Sequence, residues 1–237
     1  MTWRENVPMS QPFDSCTVAI VDYGLGNLFS VKRACELVGL SALITSEKDT
    51  IENTDGVVLP GVGAFGDAMV NLRRLDLIEP LKDFIKQNRP FMGICLGFQL
   101  LMSESTEFGV HKGLNIFEGS VERFFARNDT GKNYKVPHVG WNRIHSFDSE
   151  KDNNCWDASL LKGVSEGEFM YFVHSFYVEP RQSDIIISTS EYEGFCYCSS
   201  VSRGNIFACQ FHPEKSASAG LLLYKNFANV IRKHRAG

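Results

Sequence analysis

Cys95 stands between two glycines, Gly93 and Gly97, each two residues away from it. An apolar segment, 90–94, precedes the cysteine, and a second, mostly apolar segment, 96–102, follows it. Strand–turn–helix elbows have this pattern, because glycine lets the strand and the helix approach closely beside a strained nucleophile. The helix dipole at such a position favours the thiolate form of cysteine. The pattern therefore predicts a thiol nucleophile, although cysteine also occurs as a small buried hydrophobic residue.

His212 and Glu214 could complete a catalytic group with this cysteine. They follow the apolar segment 206–211 and lie two residues apart, so in extended chain they project to the same side. A histidine can act as the general base of a thiol nucleophile, and a carboxylate can orient that histidine. A single histidine usually has a structural role, but its conjunction with the Cys95 pattern predicts a Cys-His-Glu triad.

The segments around these three residues resemble those of the class I, triad-type glutamine amidotransferases. Further segments resemble the glutaminase subunit of imidazole glycerol phosphate synthase, and the resemblance extends over about residues 17–235. It implies an α/β fold of the class I glutamine amidotransferase type: a mixed, mostly parallel central sheet with helices on both faces and extra antiparallel strands in the second half. The segments that carry the resemblance are Gly93-Ile-Cys-Leu-Gly-Phe-Gln99, Gln210-Phe-His-Pro-Glu-Lys-Ser216, Asp22-Tyr-Gly-Leu-Gly-Asn27, Leu59-Pro-Gly-Val-Gly-Ala-Phe65, Pro137-His-Val-Gly-Trp-Asn142 and Tyr171-Phe-Val-His-Ser175.

The chemistry that the resemblance implies is hydrolysis of L-glutamine to glutamate and ammonia through a thioester on Cys95. His212 would serve as base and acid, and Glu214 would fix its tautomer. Gln99 lies four residues after Cys95, on the same helical face, and would contact the substrate. The other implied site residues are the backbone oxyanion donors Val62, Gly63 and Leu96, and the substrate-binding residues His174, Ser175 and Phe176.

The family delivers its ammonia to a partner subunit. The resemblance implies a heterodimer with a (β/α)8 cyclase that makes imidazole glycerol phosphate and an aminoimidazole carboxamide ribotide in histidine biosynthesis. Trp141, Asn142 and Lys215 match positions that face this partner. The resemblance implies no cofactor and no metal. It also suggests that acceptor bound to the partner gates the glutaminase, which we expect to require rotation of the Pro60–Gly63 loop.

Three other interpretations are open from the sequence. Phe98, segment 103–109 and segment 195–209 look more like a paralogous glutaminase that supplies ammonia for amidation of a surface-polysaccharide sugar. An inactive regulatory subunit would be expected to lack part of the triad, whereas Cys95, His212 and Glu214 are all present. A stand-alone cysteine hydrolase on the same elbow would not need Gln99 or the Pro60–Gly63 loop.

The composition argues against several functional classes of protein. The 24 basic and 28 acidic residues give a net charge of −4, which provides no attraction to nucleic acid. No apolar run approaches the roughly 20 residues of a membrane span. The seven cysteines have no metal-ligand spacing and no disulfide framework, which suits a free thiol in the cytoplasm. Residues 1–16 are expected to be a flexible extension before an amidotransferase domain at 17–237.

The hydrophobic patterns predict where these residues lie in the fold. Strands are predicted at 17–21, 41–45, 56–59 and 91–94, with helices at 27–38, 68–75 and 77–88, and this alternation predicts a parallel, doubly wound sheet. A helix is predicted from Cys95 past Met102, ending within 104–107. Strand patterns at 119–125, 141–145, 169–173, 176–178, 185–189, 195–201 and 206–211 predict antiparallel strands, and a closing helix is predicted at 221–233. Polar loops are predicted at 128–133 and 148–154.

Overall fold

A computed structural model describes residues 16–124, 135–147 and 156–237 of the 237-residue chain. The helices within these residues are α1 Leu28–Leu37, α2 Lys48–Asn53, α3 Phe65–Arg74, α4 Ile78–Lys86, α5 Leu96–Leu100 and α6 Ala217–Ala236. The strands are β1 Thr17–Val21, β2 Ser41–Thr45, β3 Gly56–Leu59, β4 Phe91–Ile94, β5 Met102–Ser105, β6 His111–Lys112, β7 Phe117–Arg123, β8 His138–Arg143, β9 His145–Ser146, β10 Phe169–His174, β11 Phe176–Pro180, β12 Ile186–Tyr192, β13 Phe195–Arg203 and β14 Ile206–Cys209.

Five parallel strands form the half of the sheet that carries the nucleophile. Their order is β2-β1-β3-β4-β14, so the last strand of the chain lies beside the strand that leads to Cys95. Cys209 pairs with Ile94 across these two strands. Strands β3, β4 and β14 are buried along their whole length, as short, continuously apolar strands of parallel sheets are. The carboxyl ends of β4 and β14 therefore place Cys95 and the His212 segment side by side.

Antiparallel pairing dominates the other half of the sheet, which continues from β14 through β13, β11 and β7. The exception is β5, which pairs with β7 in parallel. Two hydrophobic cores cover the sheet: one includes α1 and α6, and the other includes α3, α4 and α5. The predicted class, a mixed sheet with helices on both faces and antiparallel strands in the second half, is confirmed.

A separate two-stranded antiparallel sheet, β8 and β10, stands beside the nucleophile. Its side chains alternate strictly between two faces. One face is buried or half-buried and includes His138, Phe172 and His174, whereas the other is half-buried or exposed and includes Trp141 and Tyr171, which pair directly. This second face is called the outer face of the β8–β10 sheet below.

The segment after the elbow differs from the prediction. Helix α5 ends at Leu100, and Met102–Ser105 form strand β5. The carbonyls of Leu100, Leu101 and Met102 accept hydrogen bonds from the backbone of residues 114–117. These long-range bonds outweigh the local helical pattern of the segment. The short helix α2 was also not predicted, and α6 begins at Ala217 rather than at 221.

Residues 1–15 of the predicted extension lie outside the described residues, as do all residues of the predicted polar loops at 128–133 and 148–154. Cys16, the last residue of the predicted extension, is buried, and its carbonyl accepts a hydrogen bond from the Ser41 N–H. Cys16 is thus packed with the sheet.

Candidate active site

Cys95 occupies the sharp turn between β4 and α5. Its backbone has φ 54° and ψ −108°, in the left-handed half of conformational space that side chains other than glycine rarely adopt. Gly97 is required for this turn, because an added Cβ would lie 1.7 Å from the Leu59 carbonyl oxygen. The elbow that the glycine spacing predicts is therefore formed.

His212 lies at the end of β14, with Glu214 directly behind it. His212 Nδ1 is 2.8 Å from Glu214 Oε1, and both side chains are almost fully buried. The backbone N–H of His212 donates to the Tyr171 carbonyl, and the His212 carbonyl accepts from the Ser216 hydroxyl. These two hydrogen bonds hold the backbone of His212 at its N–H and at its carbonyl, and they therefore fix the position of the imidazole.

The electrostatics of the pair favour a protonated imidazole. Burial by itself lowers the pKa of His212, but the charge of the nearby Cys95 sulfur and the Glu214 carboxylate together raise that pKa to about 10. His212 Nε2 is buried and has no hydrogen-bond partner among the described residues. The proton on this nitrogen is thus available to the sulfur and its substrate.

A chain of hydrogen bonds leads from the helix to the Cys95 sulfur. The thiol donates to the Val173 carbonyl at 3.8 Å, and Gln210 Nε2 donates to the same sulfur at 3.6 Å. Gln99 Nε2 donates to Gln210 Oε1 and to the Phe176 carbonyl, each at 3.1 Å. Both amide hydrogens of Gln99 are therefore used, and its Oε1 is the atom that it can offer to a ligand.

A cavity of about 270 Å³ opens beside the sulfur. Its walls contain all of the predicted oxyanion and substrate-binding residues, together with a carboxylate that sequence reasoning missed. Glu107 is buried, and its Oε2 accepts a 2.6 Å hydrogen bond from the Phe65 N–H at the start of α3. The lining residues are Val62, Gly63, Cys95, Leu96, Gln99, Glu107, Pro137, Val173, His174, Ser175 and Phe176.

His174 reaches the cavity as a buried, neutral imidazole. Burial is the main cause that lowers its pKa, to about 3. Its Nδ1 donates to the Phe176 carbonyl at 2.8 Å, and its Nε2 lies 3.3 Å from His138 Nδ1. Since Gln99 donates to the same carbonyl, the Phe176 oxygen accepts two hydrogen bonds. The side chain of His174 thus holds the backbone of the 174–176 segment.

The two backbone donors of the predicted oxyanion hole are not both free. The Leu96 N–H donates to the Gly61 carbonyl at 3.4 Å, so a carbonyl of the loop occupies this donor. The loop is held by Tyr23, whose hydroxyl donates to the Pro60 carbonyl at 2.7 Å. Gly61 leaves room for that hydroxyl, since a Cβ there would lie 2.0 Å from it.

The three predicted partner-facing residues do not share one face. Trp141 is 52% exposed on the outer face, with its ring 6.0 Å from that of Tyr171, and Lys215 Nζ lies 5.5 Å above the same tyrosine ring. The Asn142 side chain is on the opposite face and donates to the Glu191 carbonyl at 2.7 Å. Trp141 and Lys215 are thus brought together, whereas Asn142 ties the sheet to β12.

The fold and this arrangement define an amidotransferase of the triad type. The family described as glutamine amidotransferase class-I matches residues 19–230. A solved glutamine amidotransferase has a TM-score of 0.65 at 16% identity, covering 91% of this chain and 98% of that one. The structure of PurLQS from Thermotoga maritima has a TM-score of 0.63 at 17% identity, covering 91% and 98%. The chain belongs to the class I glutamine amidotransferase family.

Curated relatives identify the group within this family to which the chain belongs. The chain is 45% identical to the imidazole glycerol phosphate synthase subunit HisH of Syntrophotalea carbinolica, over 90% of this chain and 100% of that protein. It is also 45% identical to the HisH subunit of Geobacter metallireducens, over 90% and 97%. It is thus a member of the HisH group, as the sequence motifs predict. None of the described helices is both long and apolar enough to cross a membrane.

Proposed function

We propose that this chain is the glutaminase subunit of an imidazole glycerol phosphate synthase and that Cys95, His212 and Glu214 carry its chemistry. The observation that supports this most directly is the strained Cys95 beside the buried His212–Glu214 pair, in a cavity lined by Gln99 and Glu107. The similarity to HisH subunits supports the pathway, histidine biosynthesis.

The reaction begins with attack of the Cys95 thiolate on the side-chain amide carbon of glutamine. His212 enters this step protonated, as its raised pKa favours, and gives the proton to the departing nitrogen, so ammonia leaves. A γ-glutamyl thioester remains. Neutral His212 then takes a proton from water, which hydrolyses the thioester and releases glutamate. Glu214 stabilises the imidazolium through the Nδ1 bond in both steps.

The zwitterionic end of glutamine would be held at the far end of the cavity. Glu107 offers a carboxylate to the α-amino group, and Gln99 offers its Oε1. The Ser175 carbonyl accepts from the Phe124 N–H, and the Phe176 carbonyl accepts twice. We propose that backbone N–H groups of the 174–176 segment bind the α-carboxylate.

The oxyanion hole requires a change before it can work. The Gly61 carbonyl must turn away from the Leu96 N–H, and rotation of the Pro60–Gly63 loop would present the N–H of Val62 or Gly63 instead. We propose that acceptor bound to the partner favours the rotated state. Glutamine would then be hydrolysed only when its ammonia can be used.

The outer face of the β8–β10 sheet is the proposed docking surface for a cyclase subunit of (β/α)8 fold. Trp141 and Val139 are exposed apolar residues there, and the face continues to Val173, which lines the cavity. A partner on this face would cover the mouth of the site and receive ammonia directly, forming imidazole glycerol phosphate and aminoimidazole carboxamide ribotide. Six free cysteines among the described residues, Cys95 included, support a reducing cytoplasm.

The test is glutamate release from glutamine by the chain alone, with its cyclase partner, and with the partner plus the carboxamide nucleotide substrate. A slow basal rate that rises steeply only in the complete mixture is expected, and Cys95→Ala should be inactive throughout. Stimulation of the glutaminase by the partner that does not depend on the nucleotide would indicate the sugar-amidating branch instead. If no mixture shows glutamate release that depends on Cys95, the proposed glutaminase activity is refuted and a regulatory subunit is favoured.

A further inference from the structure

Gln210 contacts the nucleophile and has no role in the mechanism above. Its side chain is completely buried, and the oxygen and the nitrogen of its amide make different hydrogen bonds. Oε1 accepts from Gln99 Nε2 at 3.1 Å, and Nε2 donates to the Cys95 sulfur at 3.6 Å. The amide is thus oriented by one neighbour so that its N–H points at the other.

The position of Gln210 in the sheet explains this contact. The Cys95 N–H donates to the Cys209 carbonyl at 2.8 Å, so the pairing of β4 with β14 continues to the elbow. Gln210 and His212 are two residues apart in extended chain and project to the same side. The end of β14 therefore delivers two side chains to the sulfur, an imidazole and an amide.

A thiolate at this position needs more than one stabilising group. Cys95 is only 5% exposed, so water does little to solvate its charge. The Val173 carbonyl offers an acceptor, which repels a thiolate, and the Leu96 N–H is occupied by Gly61. Among the described residues, Gln210 Nε2 is therefore the side-chain group that donates a hydrogen bond to the sulfur.

We propose that Gln210 is a further catalytic residue, whose amide N–H stabilises the Cys95 thiolate before attack on glutamine. The proposal rests on the function above, since it takes Cys95 as the nucleophile. Without the donor, the thiolate fraction at neutral pH falls and attack slows. The loss should diminish as pH rises, because hydroxide then removes the thiol proton.

Two substitutions of similar length separate this role from packing. Gln210→Glu keeps an acceptor for Gln99 Nε2 but removes the donor and places negative charge beside the sulfur. Gln210→Met removes both hydrogen bonds and adds no charge. Electrostatic stabilisation of the thiolate therefore predicts a larger effect of glutamate than of methionine. A packing role predicts no such order, since glutamate preserves the shape and the Gln99 bond better.

The experiment measures the rate of iodoacetamide alkylation of the Cys95-containing peptide, by mass spectrometry, from pH 5 to 10. The titratable groups that face Cys95 are His212, Glu214 behind it, Cys209, Tyr23, Glu107 and His174, and all are unchanged in the variants. We expect the midpoint of the profile to rise by about one pH unit in Gln210→Met and by more in Gln210→Glu. Partner-stimulated glutamine hydrolysis at pH 7 should fall about tenfold in Gln210→Met and recover toward pH 9.

Matched controls are Gln87→Met and Gln87→Glu at an exposed glutamine after α4, which should keep the wild-type profile. Thermal unfolding identifies variants that fail to fold. Equal midpoints in the wild type and both Gln210 variants would overturn the inference, whatever the loss of activity. The proposed function fails separately, if wild-type Cys95 is alkylated yet the wild-type complex releases no glutamate.

Discussion

At the scale of single residues, Glu107 gives a direct test of how substrate is bound. Glu107→Gln keeps an oxygen for the Phe65 N–H but loses the charge that would face the α-amino group. A charge-assisted hydrogen bond contributes about 1.5–3 kcal/mol, so KM for glutamine should rise roughly 10- to 100-fold with little change in kcat. Steady-state kinetics of the stimulated enzyme provide the measurement.

The control for Glu107 is Glu104→Gln, three residues earlier. Glu104 is paired with Lys112 on the surface, and its carboxylate is 2.6 Å from the lysine nitrogen. Its replacement should leave KM unchanged, because exposed ion pairs contribute little. A fall in kcat without a rise in KM for Glu107→Gln would assign Glu107 to catalysis or to the α3 terminus rather than to substrate.

His212 makes the stability of the protein depend on pH. Its pKa is raised from 6.5 to about 10, so the folded state holds a proton that the unfolded chain has lost. This stabilisation is fully present below pH 6.5 and disappears as pH rises toward 10. Since it amounts to a few kcal/mol, the thermal midpoint of the wild type should fall by roughly 5–15 °C more than that of His212→Gln between pH 6.5 and 10.

Differential scanning fluorimetry across this range tests the effect of His212. The matched variant is His145→Gln, since His145 also bonds a glutamate, Glu166 at 2.9 Å, but both side chains are exposed. Its pH dependence should follow the wild type. Parallel curves for the wild type and His212→Gln would contradict the protonated imidazole of the ion pair.

At the scale of elements, Tyr23 links the turn after β1 to the oxyanion loop. Tyr23→Phe would leave the buried Pro60 carbonyl unpaired, which costs about 1–3 kcal/mol and should lower the thermal midpoint by roughly 3–10 °C. Urea unfolding measures the free energy directly. Tyr192→Phe is the comparison, because the Tyr192 hydroxyl donates to the exposed Lys135 carbonyl, which water can solvate. Equal losses of unfolding free energy in the two variants would mean that the buried Tyr23 hydrogen bond stabilises the fold no more than the exposed one does.

The parallel half of the sheet could be predicted almost to the residue. Strands β1 to β4 have the predicted bounds, because each is a short apolar run closed by glycine, proline or polar residues. The elbow could also be predicted from the sequence, because the glycine spacing reflects the close approach of the Gly97 backbone to Leu59. In these elements local pattern and tertiary packing agree.

Where local pattern and tertiary contacts differ, the sequence was insufficient. Strand β5 follows an apolar helical pattern, and its pairing with β6 and β7 makes it a strand. Glu107 follows β5, so its place in the cavity depends on this unpredicted element. Gln210 was part of a recognised segment, but its role depends on the pairing of β14 with β4, which joins residues far apart in the chain.

At the scale of the whole molecule, the triad, the cavity and the outer face of the β8–β10 sheet meet at one edge of the sheet. Tyr171 connects them: its side chain lies beside Trp141 and Lys215, and its carbonyl accepts from the His212 N–H. A partner bound to this face would therefore press on the strand that holds the backbone of His212. We propose that this layout couples docking to catalysis without any contact between the partner and the proposed triad.

The docking surface is tested by removing its aromatic anchor. Exposed tryptophans at the centre of interfaces typically contribute 2–4 kcal/mol, so Trp141→Ala should weaken the cyclase complex roughly 30- to 1,000-fold. Isothermal titration calorimetry gives the Kd, and saturating partner should restore stimulated glutaminase activity. Leu37→Ala is the control, since Leu37 is 60% exposed at the end of α1 and is not part of the β8–β10 sheet, so this variant should bind like the wild type. Unchanged affinity for Trp141→Ala would move the interface elsewhere and leave the tryptophan without a role in docking.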